Sequence, residues 1–120
     1  MSEHQLLNRV RSYTSGTPGR SLNNVRSHHF VIDEPPYAGG PGEEITPAEA
    51  FLAGVSSCGV LLVESFARRS GVPLERAEVI IEGVRARANP VDFESISMRF
   101  DLVGPSREQA EELVAYYQKH

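Results

Sequence analysis

The chain has 120 residues, 40% of them hydrophobic and 23% charged, which is enough for one domain that buries about two thirds of its unfolded surface. Its formal charge of −4, with Arg and Glu interspersed, leaves no basic stripe for nucleic acid and no polybasic patch for a membrane surface. The N-terminus lacks the apolar core of a secretory signal, and no apolar run approaches the roughly 18 residues of a membrane span, so we expect a cytoplasmic protein without membrane contact.

Residues 9–32 predict two or three short strands. The β-favouring pieces RVRSYTS and NVRSHHFVI flank the turn-rich segment GTPGRSLNN, as in a hairpin. His28 and His29 would point to opposite faces of such a strand, so they could not ligate one metal together. The Pro- and Gly-rich residues 33–44, DEPPYAGGPGEE, predict a loop, and the two glutamates at its end would repel a phosphate group.

A long helix is predicted from Thr46 to Ser70. Thr46 can cap it, Pro47 suits the first helical position, and Glu49 completes a capping box. No charged residue occurs over residues 50–63, so we expect this helix to be covered on most sides and to form the centre of the core. Four short strands and one further helix cannot supply that cover. We therefore predict a twofold symmetric homodimer that packs the central helices together.

Two strands and a second helix are predicted after it. Residues 76–87 and 93–103 have the pattern of strands joined by a turn, and in the second strand apolar and polar side chains alternate between the two faces. Residues 106–120 predict a half-exposed helix that begins with a capping box at Ser106 and Gln109. The element order indicates a single α+β domain with mostly antiparallel sheets around the long buried helix.

The single cysteine, Cys58, has two interpretations. Cysteine is among the most frequently buried residues, and a thiol packed within an apolar helix is inert. A reactive thiol here would need a cation from elsewhere in the fold, because Cys58 lies 12 residues past Thr46, about 18 Å along the helix, where the influence of the helix dipole has faded. The candidate cations are the arginines of the N-terminal strands, namely Arg11, Arg20 and Arg26.

Other kinds of catalytic or cofactor site have little support in the sequence. It contains no HxxxH, CxxC or carboxylate cluster for a metal, and no GxGxxG or P-loop for a nucleotide. Ser56 and Ser57 lack the GxSxG context of a serine hydrolase nucleophile. We therefore expect no bound cofactor and no metal, and small molecules or proteins as partners.

Three segments together resemble one protein family. They are DEPPYAGG, then ITPAEAFLAGVSSCGVLL, then RSGVPLERAEVIIEG. Their DEP segment, Gly-Gly loop, TP-x-E box and cysteine nine residues after the glutamate are similar to the pattern of the osmotically inducible protein C and organic hydroperoxide resistance family, OsmC and Ohr. The resemblance covers residues 10–120. It is closer to the broad OsmC-like branch than to Ohr proper, because the Ohr glutamate would stand one position earlier, at Ala48.

The resemblance implies an intertwined α+β homodimer whose active sites lie at the subunit interface. Each site would hold a peroxidatic cysteine at Cys58, an arginine, for which Arg20 is the first choice and Arg26 the second, and a glutamate at Glu49. The implied activity is thiol-dependent reduction of small organic hydroperoxides in oxidative stress defence, with an external dithiol, lipoyl-bearing in some relatives, as reductant. Apolar residues near the thiol would favour organic peroxides over hydrogen peroxide, and these are Phe51, Val55, Leu61 and Leu62.

The resemblance leaves one residue unmatched and the function open. Family members carry a resolving cysteine just after the last helix, whereas this sequence, interpreted as one domain over residues 1–120, ends at His120 without one. We predict that a short C-terminal segment is missing and that the parent protein has a cysteine within a few residues of His120; the alternative is that the protein lacks a two-cysteine cycle. Three functions stay open: a thiol peroxidase, a non-enzymatic ligand-binding or assembly module in which Cys58 only packs, and, with less support, a hydrolase built on the same thiol.

Overall fold

The computed structural model describes residues 3–120, and the chain divides into two compact units, Met1–Ala50 and Phe51–His120. The prediction of one domain over residues 1–120 begins outside the described residues and stays a prediction. The elements in chain order are β1 (Arg11–Thr14), β2 (Arg20–Val25), β3 (His28–Asp33), α1 (Pro47–Ser70), β4 (Arg76–Ala86), β5 (Asn89–Val103) and α2 (Arg107–Lys119), with a short 3₁₀ turn at Pro36–Ala38.

The N-terminal unit is built on a three-stranded antiparallel sheet in the order β1-β2-β3, so the short strands predicted there are present. The β2–β3 hairpin turns at Arg26 and Ser27, and Arg26 has a left-handed backbone angle, φ 55°, which residues other than Gly and Asn adopt reluctantly. At the other end of this hairpin, Arg20 of β2 lies directly opposite Asp33 of β3. This register places an arginine and a carboxylate side by side on one face of the sheet.

The loop after β3 is held against the sheet by backbone contacts. The Asp33 amide donates to the Ile45 carbonyl at 2.9 Å, and the Glu34 amide donates to the Gly19 carbonyl at 2.8 Å. Gly19 and Gly40 lie so close together that a Cβ on Gly19 would overlap the Gly40 Cα. The absence of a side chain is therefore required at this contact, immediately before β2.

Helix α1 begins and ends at the predicted residues. The Thr46 amide donates to Glu49 Oε1 at 2.9 Å, and the Glu49 amide donates to Thr46 Oγ1 at 3.2 Å, which confirms the capping box. Arg68 and Arg69 lie in the last turn, where their positive charge interacts favourably with the negative end of the helix dipole. Local signals in the sequence therefore determine both ends of this helix.

The expected burial of α1 on most sides is not confirmed by the single chain. Its buried positions form one stripe at helical spacing, namely Gly59, Val63 and Ala67. Phe51 and Leu61 are 55% and 60% exposed, and Cys58 is exposed as well. Cover for the remaining surface by a second chain stays a prediction.

Helix α1 is also long and apolar enough, by length and composition, to cross a membrane, because an 18-residue window of it has a mean hydropathy of 1.7. The expectation that no apolar run approaches this length was therefore wrong. Ala, Gly and Ser separate the large apolar residues without adding charge, so the uncharged segment extends further than the positions of the large apolar residues alone indicate. The feature is weak evidence for a membrane span, because the core helix of a soluble protein passes the same test.

The C-terminal unit combines a long antiparallel hairpin, β4 and β5, with α2 and most of α1. Its core is formed by Val63, Ala67 and Leu113, and Phe100 and Leu102 of β5 pack against them. The alternation predicted for β5 is therefore confirmed at these positions. Helix α2 begins with the predicted capping box. The Gln109 amide donates to Ser106 Oγ, and the Ser106 amide donates to Gln109 Oε1.

The β4–β5 hairpin turns earlier than predicted. The turn is at residues 87–88, and β5 begins at Asn89 rather than at residue 93. The strand pairing jumps at this end of the hairpin, so residues 90–92 bulge out of the ladder. Pro90 explains the bulge, because it has no N–H to donate to a neighbouring strand.

Candidate functional site

Arg20, the first-choice arginine, is held by two carboxylates of its own unit. Its Nε and Nη2 donate to Asp33 Oδ1 and Oδ2 at 2.7 and 2.8 Å, and Nη2 also donates to Glu43 Oε1 at 2.8 Å. The Asp33 side chain has no exposed surface, whereas that of Glu43 is 71% exposed. The guanidinium is therefore fixed by one buried partner and one exposed partner.

Asp33 links the arginine to the loop as well. Its Oδ2 accepts hydrogen bonds from the amides of Glu43 and Glu44, each at 3.1 Å. The hydrogen bonds from Arg20 lower the pKa of the Asp33 carboxyl from 3.8 to about 2, against the opposing effect of burial. The bonds to Asp33 and then to Glu43 raise the pKa of the Arg20 guanidinium above its ordinary value. Arg20 and Asp33 are thus both ionised at neutral pH.

The three groups form what we call the Arg20 cluster, which consists of Arg20, Asp33 and Glu43. One guanidinium and two carboxylates give it a net charge of −1 at neutral pH. The Nη1 of Arg20 makes no hydrogen bond with any residue in the range 3–120. One nitrogen of the guanidinium is therefore available to an anion or a polar ligand.

The other predicted polar residues of the N-terminal unit lie outside this cluster. Glu49 Oε1 accepts the hydrogen bond from the Thr46 amide. Arg26 is exposed in the β2–β3 turn, and the Cζ of Arg11 lies 4.3 Å from the ring centroid of Tyr13. The structure brings Arg20 together with Asp33 and Glu43 rather than with Glu49, and whether Glu49 orients the arginine stays a prediction.

Cys58 lies on an exposed and mostly apolar face of α1. Phe51, Val55, Cys58 and Leu62 follow one another at i, i+4, i+7 and i+11, so their side chains form one line along the helix. Leu61 stands one turn beyond Cys58 and is more exposed than Leu62. The four predicted substrate-binding residues therefore surround the thiol on the helix surface, and whether they bind a substrate stays a prediction.

The Phe51 ring has an aromatic neighbour that the sequence does not reveal. It stacks on Phe93 of β5, with the ring centroids 6.0 Å apart and the ring planes inclined by 23°. The guanidinium of Arg85 lies 5.8 Å from the Phe93 centroid. The hairpin thus adds a second ring to the N-terminal end of the line that contains Cys58.

Two further features of the C-terminal unit bear on function. A cavity of about 360 Å³ lies between α1 and residues 72–77, but neither Cys58 nor a predicted substrate-binding residue lines it. Over residues 3–120, no group of three or more His, Cys, Asp or Glu side chains is arranged to hold a metal ion. The cavity and the thiol are separate features of this unit.

Sequence reasoning missed Asp33, Glu43 and Phe93. A signal for Asp33 was present, because residues 4–32 contain four arginines and no acidic residue, so that Asp33 is the first carboxylate after the β2 arginine. Glu43 follows it in the loop without a recognisable spacing. Phe93 was predicted only as the first residue of a strand, and no sequence pattern relates it to Phe51.

The chain is of the α+β class, with two antiparallel sheets, and its single cysteine is exposed on the long helix α1. The family model described as OsmC-like protein matches residues 40–120 of it. The chain therefore belongs to the OsmC-like family, which confirms the resemblance found in the sequence. No curated protein sequence matches this chain.

Solved structures of the same fold agree with this assignment. An OsmC-like protein from Mycoplasma pneumoniae has a TM-score of 0.82 at 14% identity, covering 96% of this chain and 82% of that one. An organic hydroperoxide resistance protein OsmC from Legionella pneumophila has a TM-score of 0.73 at 19% identity, covering 98% and 85%. The organic hydroperoxide resistance protein OhrB of Bacillus subtilis has a TM-score of 0.64 at 18% identity, covering 95% and 84%. At these identities the likeness shows a shared fold.

Proposed function

We propose that this chain is a thiol-dependent peroxidase that reduces organic hydroperoxides at Cys58, with a role in oxidative stress defence. The observation that carries the proposal is an exposed thiol on the apolar face of α1, within a family-model match that includes this helix. Two structural neighbours, from Legionella and Bacillus, are named for organic hydroperoxide resistance. The apolar side chains around the thiol support an organic substrate over hydrogen peroxide.

The proposed reaction is a two-electron oxidation of the sulfur. The Cys58 thiolate attacks the terminal oxygen of the hydroperoxide, an S–O bond forms as the O–O bond breaks, and the alkoxide takes a proton and leaves as an alcohol. Cys58 is then a sulfenic acid. One thiol of an external dithiol displaces water from it to form a mixed disulfide. The second thiol releases reduced Cys58 and leaves the reductant as its own disulfide.

Arg20 is proposed to stabilise the thiolate, and Glu49 to orient the arginine. The unbonded Nη1 of Arg20 supports the first role, and buried Asp33 supports it too, because it keeps the guanidinium in one orientation. The cap uses only Oε1 of Glu49, so its second oxygen remains available for the other role. Arg20 and Cys58 belong to different compact units, and the proposed site forms where two chains of a homodimer meet.

The exposed side of α1 supports the proposed homodimer. Gly54, Ser57, Cys58, Leu61 and Ser65 share this side, opposite the buried stripe, and all five are exposed in the single chain. Small side chains allow a second helix to approach closely, and an exposed leucine gains from being covered. We propose that a second copy covers this face, and that the protein works in the cytoplasm with a dithiol or lipoyl-bearing reductant and without a bound cofactor.

Mass spectrometry after exposure to one equivalent of cumene hydroperoxide tests the proposed function. The protein should gain one oxygen at Cys58 and lose it on addition of a dithiol, and Cys58→Ser should gain none at this position. Turnover of the peroxide with dithiothreitol or dihydrolipoate should be lost in the same variant. An unmodified Cys58 would favour the non-enzymatic binding or assembly module instead.

A further inference from the structure

The charges of this chain are unevenly distributed along it. The interspersion of Arg and Glu that holds for the chain as a whole breaks down over residues 4–32, which contain four arginines and three histidines but no acidic residue. Residues 33–120 contain eight basic and fifteen acidic residues, a net charge of −7. The segment that forms β1, β2 and most of β3 is therefore positive within a chain that is acidic overall.

Three of these arginines have no charged partner. The side chains of Arg9, Arg11 and Arg26 are exposed and form no hydrogen bond or ion pair with any residue in the range 3–120. Five other arginines each pair with a carboxylate, namely Arg20, Arg68, Arg76, Arg99 and Arg107. Unneutralised cations near one another repel, so an anion bound among them is favoured electrostatically.

Strand register brings the unpaired arginines to one end of the N-terminal sheet. Arg11 of β1 lies directly opposite Asn24 of β2, and Arg26 follows two residues later in the β2–β3 turn. Arg9 lies two residues before Arg11, at the same end, because β1 and β2 are antiparallel. We call Arg9, Arg11 and Arg26, together with Asn24, the cationic end of the sheet.

Two of these side chains are held in place by neighbours. The Cζ of Arg11 lies 4.3 Å from the ring centroid of Tyr13, a cation–π contact that orients the guanidinium without neutralising it. The Nδ1 of His29 donates to Asn24 Oδ1 at 2.7 Å, and the NH₂ group of Asn24 makes no hydrogen bond with residues 3–120. Oriented donors lose less conformational entropy when they bind a ligand than freely rotating ones.

We propose that the cationic end of the sheet is a docking surface for an acidic segment of a partner protein. An extended segment with Asp or Glu at alternate positions presents its carboxylates on one face, where the guanidinium groups and the Asn24 amide donate to them. A short protein segment fits this surface better than a nucleic acid, because a long polyanion continues past the sheet and is repelled by a chain of net charge −4. The interaction does not use Cys58 and is independent of the proposed peroxidase.

Fluorescence anisotropy of a labelled decaglutamate peptide tests the proposal, because this probe has the proposed chemistry. The wild-type protein should bind it at low ionic strength, and Arg11→Ala and Arg26→Ala should each weaken binding about fivefold. The affinity should also depend less steeply on salt in both variants. Arg107→Ala is the matched control, because it removes the same charge from a side chain that is 94% exposed on α2, and it should leave the affinity nearly unchanged.

Tyr13→Leu distinguishes an organised surface from diffuse charge. It keeps the net charge but removes the ring beside Arg11, so binding should weaken about twofold with an unchanged circular dichroism spectrum. Equal losses in Arg107→Ala and Arg11→Ala would overturn the proposal, because net charge alone would then control binding. Tighter binding of an oligothymidine of equal charge would overturn the protein partner in favour of a nucleic acid, and a wild type that does not bind the peptide would overturn the docking surface itself. Neither measurement involves peroxide turnover, so the outcome is separate from that of the proposed function.

Discussion

Asp33 and Cys58 are surrounded in opposite ways. The Asp33 carboxylate is fully buried and accepts four hydrogen bonds, two from Arg20 and two from loop amides, all within one compact unit. Cys58 lies on a helix face where a neighbouring leucine, Leu61, is 60% exposed. The polar region is complete within the chain, whereas the apolar region is not covered by it. The comparison indicates that the arginine is organised by the folding of its own unit, whereas the surroundings of the thiol are left uncovered by the single chain.

Removing the buried carboxylate should have the largest effect. Asp33→Asn places a side-chain amide where four hydrogen-bond donors converge. Its NH₂ group then faces some of these donors, and Arg20 loses its buried, negatively charged partner. We expect the midpoint of thermal unfolding to fall on the order of 10 °C. Asp101→Asn, which disturbs only an exposed pair with Arg99, is the control and should leave the midpoint nearly unchanged.

The same variant should also change how the free energy of unfolding depends on pH in acid. The pKa of Asp33 is lowered on folding, so its contribution to stability is present above pH 3.8 and is lost as the pH falls toward about 2. The wild type should therefore lose stability across this window more steeply than Asp33→Asn. Parallel pH profiles of the two proteins, measured by chemical denaturation, would contradict this account of the Arg20 cluster.

Charging the uncovered helix face should separate the two chains of the proposed dimer. Leu61→Arg places a cation on the exposed side of α1 without altering the buried stripe, so we expect a monomer of normal secondary structure. Light scattering measures the mass in solution, and circular dichroism checks the fold. Leu6→Arg, at a residue that is 96% exposed, should leave the association state unchanged. A wild-type protein that is monomeric at micromolar concentration would contradict the proposal that a second copy covers this face of α1.

Removing the exposed carboxylate of the Arg20 cluster should have a moderate effect on the thiol. Glu43→Gln brings the net charge of the cluster from −1 to 0 and leaves Arg20 bonded to Asp33. If Arg20 acts on Cys58, the rate of alkylation at pH 7 should rise several-fold, and its midpoint on a pH scale should move down. Glu44→Gln is a close control, because Glu44 contributes only its backbone amide to the cluster. Equal rates in both variants would argue that Arg20 does not influence the thiol.

The smallest expected effect concerns Glu49, which has two candidate roles. Glu49→Ala removes the capping bond to the Thr46 amide and should cost about 1 kcal/mol of stability, whereas Glu49→Gln keeps an acceptor and should cost little. If Glu49 also orients Arg20 through its charge, both variants should slow peroxide reduction. A rate that falls only in Glu49→Ala would restrict this residue to the cap.

The parts of the fold that depend on local chemistry could be predicted from the sequence. Thr46 and Glu49 identify the start of α1, Ser106 identifies that of α2, and the alternation in β5 identifies its buried face. The β4–β5 turn was misplaced, because Pro90 acts by disrupting strand pairing, and a pairing partner is not visible in a single segment. The extent of cover on α1 could not be predicted either, because it depends on what packs against the helix.

The candidate site was predictable in its residue types but not in its pairings. The sequence indicated Cys58, Arg20 and the apolar residues around the thiol, because these follow from helical spacing and from the family resemblance. The partners of Arg20 and Phe51 come from strand register and from a bulge, which join residues that are distant in sequence. Asp33 and Phe93 therefore became visible only once the strands were aligned.

The contact between Gly19 and Gly40 has a consequence for how the sequence can vary. Surface loops ordinarily accept insertions and deletions, because few contacts fix their length. Here the loop between β3 and α1 touches the residue before β2, bonds its carbonyl through the Glu34 amide, and supplies two amides to Asp33. One residue added between Asp33 and Glu43 would move these groups past their partners. This Pro- and Gly-rich segment therefore has a fixed length, and homologues that keep the arginine and the aspartate should conserve the length of this segment more strictly than its residues.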